Sequence, residues 1–293
     1  MISSPEIINE IFRYDVPLQK YTSFRTGGSA EIFVEPVDTS ALRKVLQYCK
    51  DEQKKIFVFG KGTNILVNDN GVKGVVIHLG GVNFKNVERH DRYVLSGAGV
   101  NLTNLVRTVA LYGLEGLEVL AGIPGTVGGA VMMNAGGKYG DISDTISSLT
   151  TMTFDGSVIR HKREDVEFAY RGCNLTGQIV IEVEFQLNES KREVVLEKVD
   201  DIYTEKKQKQ PLGTFNAGCI FRNTPQYKAA ELIDKANLKG LKVGGAIVSR
   251  KHANFIVNTG NATSADILEL IRIIKETIKK QYNVSLEEEI HIW

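Results

Sequence analysis

The chain has 293 residues, with 36 Lys and Arg against 35 Asp and Glu and a formal net charge of +1. This balance provides no basic surface for DNA or RNA, and no stretch approaches the roughly 20 apolar residues of a membrane span. We therefore expect neither a nucleic-acid partner nor a membrane partner, and the first six residues do not have the pattern of a secretory signal.

The cysteines indicate a reducing compartment. There are three of them, far apart in the chain and without a CxxC pair: Cys49, Cys173 and Cys219. This usage argues against a disulfide framework and against a zinc site, so we expect a cytoplasmic protein without a metal. The length exceeds what one compact core usually holds and predicts two or three domains.

The N-terminal half is predicted to alternate strands with two amphipathic helices. Buried apolar runs predict strands over 54–59 and 74–79. Asp38 is predicted to cap the first helix and Asn101 the second. The buried faces are Leu42, Val45, Leu46 and Cys49 in the first helix and Leu102, Leu105, Val106 and Val109 in the second.

A hairpin and a half-buried strand are predicted next. Asp155-Gly156 separates 150–154 from 158–160, and we expect both turn residues to adopt positive φ. Apolar residues then alternate with Glu182, Glu184 and Gln186, which predicts a strand with one buried face. The apolar residues of that strand are Ile181, Val183, Phe185 and Leu187.

The C-terminal third changes character. Ser190 and Glu193 form a predicted capping box that opens a charged helix, which must end before Pro211 and leads into a second unit. The apolar stripe of this helix is Val195, Leu196, Val199 and Ile202. Beyond it we predict a helix over 229–238, strands over 246–248 and 254–257, a long helix capped by Thr263 and Asp266, and a last strand over 284–290.

Three glycine clusters, at 59–64, 96–99 and 122–129, each follow a strand or open a helix. Glycine lets the backbone approach a ligand closely, and consecutive amides can surround an anion. Any one cluster alone is better explained as a tight turn. Three together, with hydroxyls at Thr63 and Thr126, favour a dinucleotide pyrophosphate.

Two standard phosphate motifs are excluded by spacing. Gly97-Ala-Gly99 has no third glycine in the position that a Rossmann fingerprint requires. No Gly-Lys pair is followed by Ser or Thr, so a P-loop is absent as well.

The residues with reactive side chains allow two explanations each. Arg171 follows Tyr170 and either clamps a carboxylate bidentately or lies on the tyrosine ring. Cys219 stands among small residues, as an accessible thiol or as a small buried hydrophobe. The acids at 287–289 and the lysines at 206–209 are equally compatible with a solvated surface.

Taken together, these segments resemble the UDP-N-acetylenolpyruvoylglucosamine reductase (MurB) family. The matching motifs occur in order at 21–24, 27–28, 60–67, 97–99, 122–130, 133–136, 168–171, 209–211, 217–223, 252–258 and 286–290. The interval from Leu187 to Lys209 leaves no room for additional substrate-covering elements, so the resemblance is to the shorter subtype.

The resemblance implies an α+β fold. It comprises an FAD-binding domain of the vanillyl-alcohol-oxidase (PCMH) type in two α/β subdomains, and a C-terminal α+β substrate-binding domain. We expect the first subdomain at 1–54, joined by a C-terminal strand at 287–293. The second is expected at 55–189 and the substrate-binding domain at 190–286.

The resemblance also implies an activity. NADPH reduces a non-covalently bound FAD, and the flavin passes hydride to UDP-N-acetylglucosamine enolpyruvate, giving UDP-N-acetylmuramate for peptidoglycan synthesis. The partners are then small molecules, and no oligomer is required. Segment 60–69 contains neither His nor Cys, which fits a dissociable flavin.

By the same resemblance, Arg171 clamps the substrate carboxylate and Cys219 donates a proton where Ser is usual in the family. Glu289 supports the polarised carboxylate or the proton supply. A thiol with an ordinary pKa near 8.5 is mostly protonated at neutral pH, as a donor must be. The implied cofactor-binding residues are Gly60, Lys61, Gly62, Thr63, Asn64, Ile65, Gly97, Gly99, Gly122, Ile123, Pro124, Gly125, Thr126, Gly128, Gly129, Ala130 and Asn134. The implied substrate-binding residues are Tyr170, Lys209, Gly218, Arg222 and Asn223.

Two positions depart from the family pattern, and two other functions compete. Thr224 replaces a proline, and Cys173 stands where Ser is typical. One alternative is an oxidase of the same fold that passes electrons to oxygen. The other is a non-catalytic nucleotide-binding module, which would need the glycine loops but not Arg171, Cys219 and Glu289.

Overall fold

A computed structural model describes residues 11–293, and the expectation about the first six residues lies outside them. The α-helices are α1 Thr39–Asp51, α2 Leu102–Leu111, α3 Val127–Met132, α4 Arg192–Lys209, α5 Ala229–Lys235 and α6 Ser264–Tyr282. The strands up to residue 141 are β1 Phe12–Pro17, β2 Ser29–Val34, β3 Ile56–Phe59, β4 Ile65–Leu66, β5 Val72–His78, β6 Val87–His90, β7 Tyr93–Gly97, β8 Leu114–Glu115, β9 Gly136–Gly137 and β10 Gly140–Asp141. The later strands are β11 Ile146–Thr153, β12 Val158–Lys162, β13 Phe168–Ala169, β14 Gly172–Cys173, β15 Gln178–Gln186, β16 Asn188–Glu189, β17 Lys242–Val243, β18 Ala246–Val248, β19 Ile256–Asn258 and β20 His291–Ile292.

The described chain forms two compact units. The first comprises residues 11–14, 32–61 and 74–205, and the second comprises 15–31, 62–73 and 206–293. Each unit has its own hydrophobic core. The chain passes from one unit to the other within β1, β2, β5 and α4, and between Lys61 and Gly62. The finer division into three parts stays a prediction.

The first unit is built on a five-stranded antiparallel sheet in the order β12-β11-β15-β7-β6. The predicted alternation in β15 is confirmed, because Ile181, Val183 and Phe185 are buried while the glutamates between them are partly exposed. A four-stranded sheet, β1-β2-β5-β3, contains the two strands predicted from buried apolar runs, and β3 pairs with β5 in parallel.

Both predicted helix caps in the first unit are confirmed. The Asp38 side chain accepts a hydrogen bond from Ala41 N at 2.8 Å, and the Asn101 side chain accepts one from Asn104 N at 3.2 Å. Each satisfies a backbone donor that the first helical turn leaves open. The eight predicted apolar residues of α1 and α2 are all buried in the core of this unit.

The predicted hairpin is confirmed, but its turn differs from the expected one. Gly156 N donates to Thr153 O at 2.9 Å and Thr153 N donates to Ser157 O at 2.9 Å, which makes a three-residue loop. Of the two residues expected at positive φ, only Gly156 adopts it, at 86°. The expectation for Asp155 was wrong because a three-residue hairpin loop needs a single left-handed residue, next to a bulge.

The second unit combines the three-stranded sheet β17-β18-β19 with α6, which packs against β17 and β18. The predicted capping box of α6 is present: Thr263 accepts from Asp266 N, and the Asp266 side chain accepts from Thr263 N. The five apolar residues at helical spacing on α6 are buried. They are Ile267, Leu270, Ile271, Ile274 and Ile278.

Several boundary predictions were wrong. The helix predicted over 229–238 ends at Lys235, before the left-handed Asn237, and the strand predicted over 254–257 is β19 at Ile256–Asn258. Helix α4 begins at Arg192, one residue later than a box of Ser190 and Glu193 would place it, although it ends before Pro211 as expected. The predicted strand over 284–290 is absent, and β20 begins at His291, where it pairs in parallel with β4. The pairing of this tail is divided between an isolated bridge at Glu288 and β4, so no continuous ladder forms earlier.

Candidate functional site

The three glycine clusters approach one another in the first unit. A Cβ on Gly60 would collide with the hydroxyl of Thr126, so the first loop packs directly on the third. A Cβ on Gly128 would lie 2.8 Å from Ala98 Cβ, and Gly128 N donates to Ala98 O at 2.9 Å. The structure therefore brings together the residues of 60–61, 97–99 and 122–130, as the pyrophosphate hypothesis requires.

Several of these glycines have a sufficient explanation within the protein. A Cβ on Gly97 would meet Phe84 O, and a Cβ on Gly99 would meet Leu79 O. Gly122 and Gly125 adopt φ of 76° and 147°, which side chains disfavour. Close packing and backbone conformation thus account for glycine here, and they do so whether or not a ligand binds.

The start of helix α3 does not supply the predicted anion-binding amides. Val127 N donates to Val100 O at 2.9 Å, and Gly129 N donates to Thr126 Oγ1 at 3.3 Å. Thr126 is therefore an N-cap, and its hydroxyl is engaged by the helix that it opens. Amides available to a pyrophosphate must come from the loops before α3.

Residues 62–65 of the first predicted loop belong to the second unit. Gly62 adopts a φ of 60°, and a Cβ on it would lie 2.5 Å from Tyr21 O. Gly62 O accepts hydrogen bonds from Ser23 N at 3.0 Å and Ser23 Oγ at 3.1 Å. The glycine cluster at 59–64 therefore contributes residues to both units.

Asn134 has a buried side-chain oxygen in the first unit that no described protein group satisfies. Its side chain is 5% exposed, and Nδ2 donates to Ala169 O at 3.2 Å. The Ala169 carbonyl can only accept a hydrogen bond, so Nδ2 of Asn134 must face it and Oδ1 must face away. Oδ1 is buried and has no hydrogen-bond partner among the described residues. Such an atom is costly unless a ligand or water completes it.

Arg171 lies in a short hairpin beside Asn134. It occupies the second position of the two-residue turn between β13 and β14, with a φ of 58°. Its Nη2 donates to Gly136 O at 3.0 Å, and its guanidinium lies 4.9 Å from the centre of the Tyr170 ring. The contact with the ring that sequence suggested is present, together with a bond that holds the guanidinium to the loop after α3.

In the second unit, the segments that carry Cys219 and Glu289 are hydrogen-bonded to each other. Glu289 N donates to Ile220 O at 2.7 Å, and Arg222 N donates to Glu287 O at 2.9 Å. An antiparallel bridge joins Phe221 and Glu288 between them. Two of the three predicted catalytic residues are thus placed on neighbouring backbone segments.

Asn64 connects the Glu289 segment to the first glycine motif within the second unit. Its Nδ2 donates to Glu289 O at 3.2 Å, and its backbone carbonyl accepts from His291 N at 3.0 Å. Burial, with a smaller effect of the Arg222 charge, lowers the pKa of His291. The backbone on both sides of Ile290 is therefore tied to Asn64.

The predicted substrate-binding residues have mixed surroundings. Tyr170 is 48% exposed, and Lys209 is exposed as the last residue of α4. Gly218 adopts a φ of 78°, and a Cβ there would meet no atom within 4 Å. Asn223 Oδ1 accepts from Ala229 N at 3.0 Å and so also satisfies the start of α5.

The two departures from the family pattern have structural explanations. Thr224 Oγ1 accepts from Gln226 N and Tyr227 N, each at 3.3 Å, and so builds a turn with its side chain at the position of the usual proline. Cys173 lies in β14, its thiol is 3.8 Å from Met132 O, and burial raises its pKa. These are the surroundings of an inert, packed thiol.

Sequence reasoning missed two asparagines that organise the Cys219 segment. Asn254 is buried and bonds to Phe221 through its side chain, and Asn216 Oδ1 accepts from Gly218 N at 2.9 Å. Both lie inside or beside motifs that carried the family resemblance. Their positions were visible in the sequence, but their partners depend on how the segments fold.

In the part of the chain that the structure describes, neither a metal site nor a membrane-spanning helix is found. No cluster of three or more His, Cys, Asp or Glu side chains is arranged to hold a metal ion among residues 11–293. No helix within that range is long and apolar enough to cross a membrane.

Comparison with known proteins decides the family. Residues 210–293 match the family described as UDP-N-acetylenolpyruvoylglucosamine reductase, C-terminal domain, and residues 30–162 match the FAD binding domain family. The UDP-N-acetylenolpyruvoylglucosamine reductase of Syntrophomonas wolfei is 38% identical over 285 residues, which cover 97% of this chain and 95% of that protein. The chain belongs to this family.

Further relatives agree with this assignment. UDP-N-acetylenolpyruvoylglucosamine reductase 1 of Bacillus cereus is 39% identical and covers 98% of each chain. The crystal structure of the reductase from Thermus caldophilus superimposes with a TM-score of 0.84 at 36% identity, over 96% of this chain and 99% of that one. The predicted family, α+β fold class and FAD-binding domain are confirmed. The chain is an FAD-dependent oxidoreductase of peptidoglycan precursor synthesis. The individual site residues stay predictions.

Proposed function

We propose that this protein reduces UDP-N-acetylenolpyruvoylglucosamine to UDP-N-acetylmuramate in the cytoplasm, without a membrane, nucleic-acid or obligatory protein partner. The observation that carries the proposal is the pairing of the Cys219 and Glu289 segments through Ile220. It supports the proposal because a thiol and a carboxylate would then come from neighbouring backbone segments of one unit. A binding module would need neither group.

The first unit supplies the residues that fit FAD. Loops 60–61, 97–99 and 122–126 form the glycine-lined part, and amide groups before α3 would hold the pyrophosphate. Asn134 Oδ1 is a buried acceptor without a partner, which suits a donor on a polar ring such as the flavin. Lys61 is exposed at the edge of the first loop and would lie against a phosphate.

FAD, reduced by NADPH, supplies the hydride when bound. On the substrate, hydride adds to the terminal methylene carbon of the enol ether, and the π electron pair moves to the carbon that bears the carboxylate. Arg171 binds that carboxylate and stabilises the negative charge that spreads into it. Its bond to Gly136 O keeps the guanidinium oriented before substrate arrives.

The Cys219 thiol then gives its proton to the carbon that carries the electron pair, and the resulting thiolate is reprotonated by water. A thiolate is a much weaker base than an alkoxide, so Cys replaces Ser without making the donor less acidic. The backbone of Glu289 is bonded to Ile220, the residue that follows Cys219. Its carboxylate supports the polarised carboxylate of the substrate or the return of a proton to Cys219.

An anaerobic visible spectrum of the purified protein tests the proposal. We expect a flavin band that NADPH bleaches and that UDP-N-acetylenolpyruvoylglucosamine restores. Recovery with oxygen alone would assign the protein to the oxidases of this fold. A protein that stays colourless with added FAD would contradict the assignment of the glycine loops.

A further inference from the structure

Asn254 holds the two residues that directly follow Cys219. Its side chain is 2% exposed. Phe221 N donates to Asn254 Oδ1 at 2.9 Å, and Asn254 Nδ2 donates to Phe221 O at 2.8 Å. Ile220 N donates to the backbone carbonyl of Asn254 at 2.9 Å. Three hydrogen bonds to one residue therefore fix the backbone immediately after the thiol.

The geometry requires an amide at position 254. Phe221 presents a donor and an acceptor side by side, as the edge of a strand does, and a primary amide offers the complementary acceptor and donor. A rotated amide would face donor with donor and acceptor with acceptor. The bonds are buried, so losing either leaves an unsatisfied polar group.

The other edge of the same segment carries Glu289. Ile220 donates to Asn254 on one side and accepts from Glu289 N on the other, at 2.7 Å. The backbone of residues 220–222 is therefore hydrogen-bonded to Asn254 on one edge and to the Glu289 segment on the other. Asn254 thus restrains the one segment to which the Glu289 backbone is also bonded.

On the preceding side, Cys219 follows a glycine in the left-handed region. Gly218 adopts a φ of 78°, and its amide donates to Asn216 Oδ1 at 2.9 Å. Asn216 is partly exposed, and a Cβ on Gly218 would meet no neighbour within 4 Å. Cys219 therefore lies between Gly218, which bonds to Asn216, and the segment that bonds to Asn254.

We propose that Asn254 is a positioning residue that fixes the direction of the Cys219 thiol for proton transfer, which rests on the proposed function of Cys219. Donors that are misplaced by about 1 Å lose roughly a hundredfold in rate. Asn254 acts through the backbone and does not touch the substrate. Its loss should slow the proton-transfer step more than it weakens binding.

The test is the variant Asn254→Asp. The carboxylate is the same size and accepts from Phe221 N, but when ionised it cannot donate to Phe221 O. We expect kcat to fall about a hundredfold. KM for the UDP-sugar and the flavin spectrum should be unchanged, and the solvent deuterium isotope effect on kcat should increase. In the protein without substrate, alkylation of Cys219, followed by peptide mass spectrometry, should become faster.

Asn258→Asp is the matched control. Asn258 is also a buried asparagine of the second unit, and its side chain bonds to Phe24 O, Gly260 N and Ala262 N. It should lose stability in a similar way but keep the wild-type isotope effect and alkylation rate. If Asn254→Asp does not fold, Asn254→Ser, whose short hydroxyl cannot span both groups of Phe221, takes its place.

A double-variant cycle separates this inference from the proposed function. If Asn254 acts through Cys219, adding Asn254→Asp to Cys219→Ala should cost no further kcat. A wild-type isotope effect in Asn254→Asp, with a large loss of kcat in Cys219→Ala, overturns the role of Asn254 alone. Full activity in Cys219→Ala overturns the proton-donor assignment itself.

Discussion

Arg171 combines a strained backbone with a restrained side chain. Its φ of 58° costs an ordinary residue about 1 kcal/mol, and the second position of such a turn is one that glycine or asparagine usually occupies. The cost is incurred next to a guanidinium that is bonded to Gly136 O and lies over Tyr170. Local strain at a charged residue is typical of groups whose direction matters.

Arg171→Lys should retain the backbone strain and lose the fork that binds a carboxylate with two bonds. We expect kcat/KM for the UDP-sugar to fall about a hundredfold, corresponding to roughly 3 kcal/mol, while the rate of flavin reduction by NADPH stays the same. Stopped-flow measurement of the two half-reactions separates these rates. Equal losses in both would contradict a role in binding the substrate.

Arg163→Lys is the control for that variant. Arg171 donates to the carbonyls of Asn134 and Gly136. Arg163 likewise donates to two backbone carbonyls, of Ser143 and Val166, and lies over the ring of Phe168. It shares the contacts of Arg171 without the strained turn. Its replacement should leave both half-reactions within about twofold of wild type.

His252 should make the second unit sensitive to acid. Burial, with a smaller effect of the Lys239 charge, lowers its pKa from the ordinary value of 6.5, and its Nδ1 accepts from Asn254 N at 3.3 Å. The unfolded chain therefore binds a proton below about pH 6.5 that the folded chain refuses. Above that pH the imidazole is neutral in both states, and the free energy of unfolding should be at its highest with respect to this group. It should decrease as the pH falls from there towards the lower pKa of the folded state.

His252→Gln should reduce this decline, as urea unfolding between pH 8 and pH 5 would measure. The imidazole is neutral at pH 8, so the difference between variant and wild type there gives the pH-independent cost of the substitution. His291 has a pKa lowered in the same direction, so a smaller slope should remain. An unchanged slope would mean that His252 is not the group that titrates.

Sequence patterns identified residues whose role depends on their own type and missed those whose role depends on a distant partner. Arg171 and Cys219 were singled out because a guanidinium beside an aromatic and a thiol among small residues are visible locally, but their predicted roles came from the family resemblance. Asn254 was missed because its two bonds join positions 33 residues apart. Asn134 was predicted from the family motif, but its unpaired oxygen required the fold.

At the scale of elements, three helix starts were predicted well because a cap acts within one turn, whereas the box at Ser190 and Glu193 placed the start of α4 one residue too early. The boxes and caps at Asp38, Asn101 and Thr263 are all formed. The last strand was misplaced because alternation of apolar residues over 284–290 says nothing about the partner, and the partner β4 lies opposite 291–292. A strand exists only where another backbone faces it.

Helix α6 has a second cap that no local pattern reveals. Asp69 accepts from Ser264 N at 2.8 Å through Oδ1 and from Ala265 N at 3.1 Å through Oδ2, while Ser264 Oγ accepts from Asp69 N. Thr263 satisfies only the next amide, that of Asp266. Asp69 thus supplies two of the bonds that the first turn needs, with a charge of favourable sign.

Asp69→Ala should therefore destabilise the protein more than Thr263→Ala. A lost cap costs about 1 kcal/mol, and we expect about that for Thr263→Ala and up to about 2 kcal/mol for Asp69→Ala. Thermal unfolding of the two variants makes the comparison. Asp69→Asn, which keeps one oxygen acceptor, should fall between Asp69→Ala and wild type. A smaller loss for Asp69→Ala than for Thr263→Ala would mean that the distant cap is dispensable.

At the scale of the whole molecule, length and composition predicted that there is more than one core but not which residues belong to each. Length and glycine clustering indicated more than one core and a phosphate ligand, and the described residues form two units with separate cores. The division of the first glycine motif between the units could not be predicted. Gly60 and Gly62 are two residues apart in the chain, and only three-dimensional packing assigns them to different units.

The unpaired oxygen of Asn134 provides a test of where the cofactor binds. A ligand that binds only the folded protein stabilises it by about 2.7 kcal/mol at a hundredfold excess over Kd, so FAD should raise the Tm of the apoprotein. If Asn134 Oδ1 receives a hydrogen bond from FAD, removing the side chain should reduce that increase. Asn134→Gly removes it without added backbone strain, because glycine accepts the φ of 39° found there.

We expect Asn134→Gly to change the stability of the apoprotein by less than about 1 kcal/mol, because the lost bond to Ala169 O is offset by removal of a buried unpaired oxygen. FAD affinity, from quenching of flavin fluorescence, should fall about tenfold. Asn283→Gly is matched in residue type and in its left-handed φ of 55°, at the end of α6, and should bind FAD as wild type does. Equal affinity in the two variants would mean that the Asn134 oxygen is completed by water and that FAD is held by the glycine loops alone.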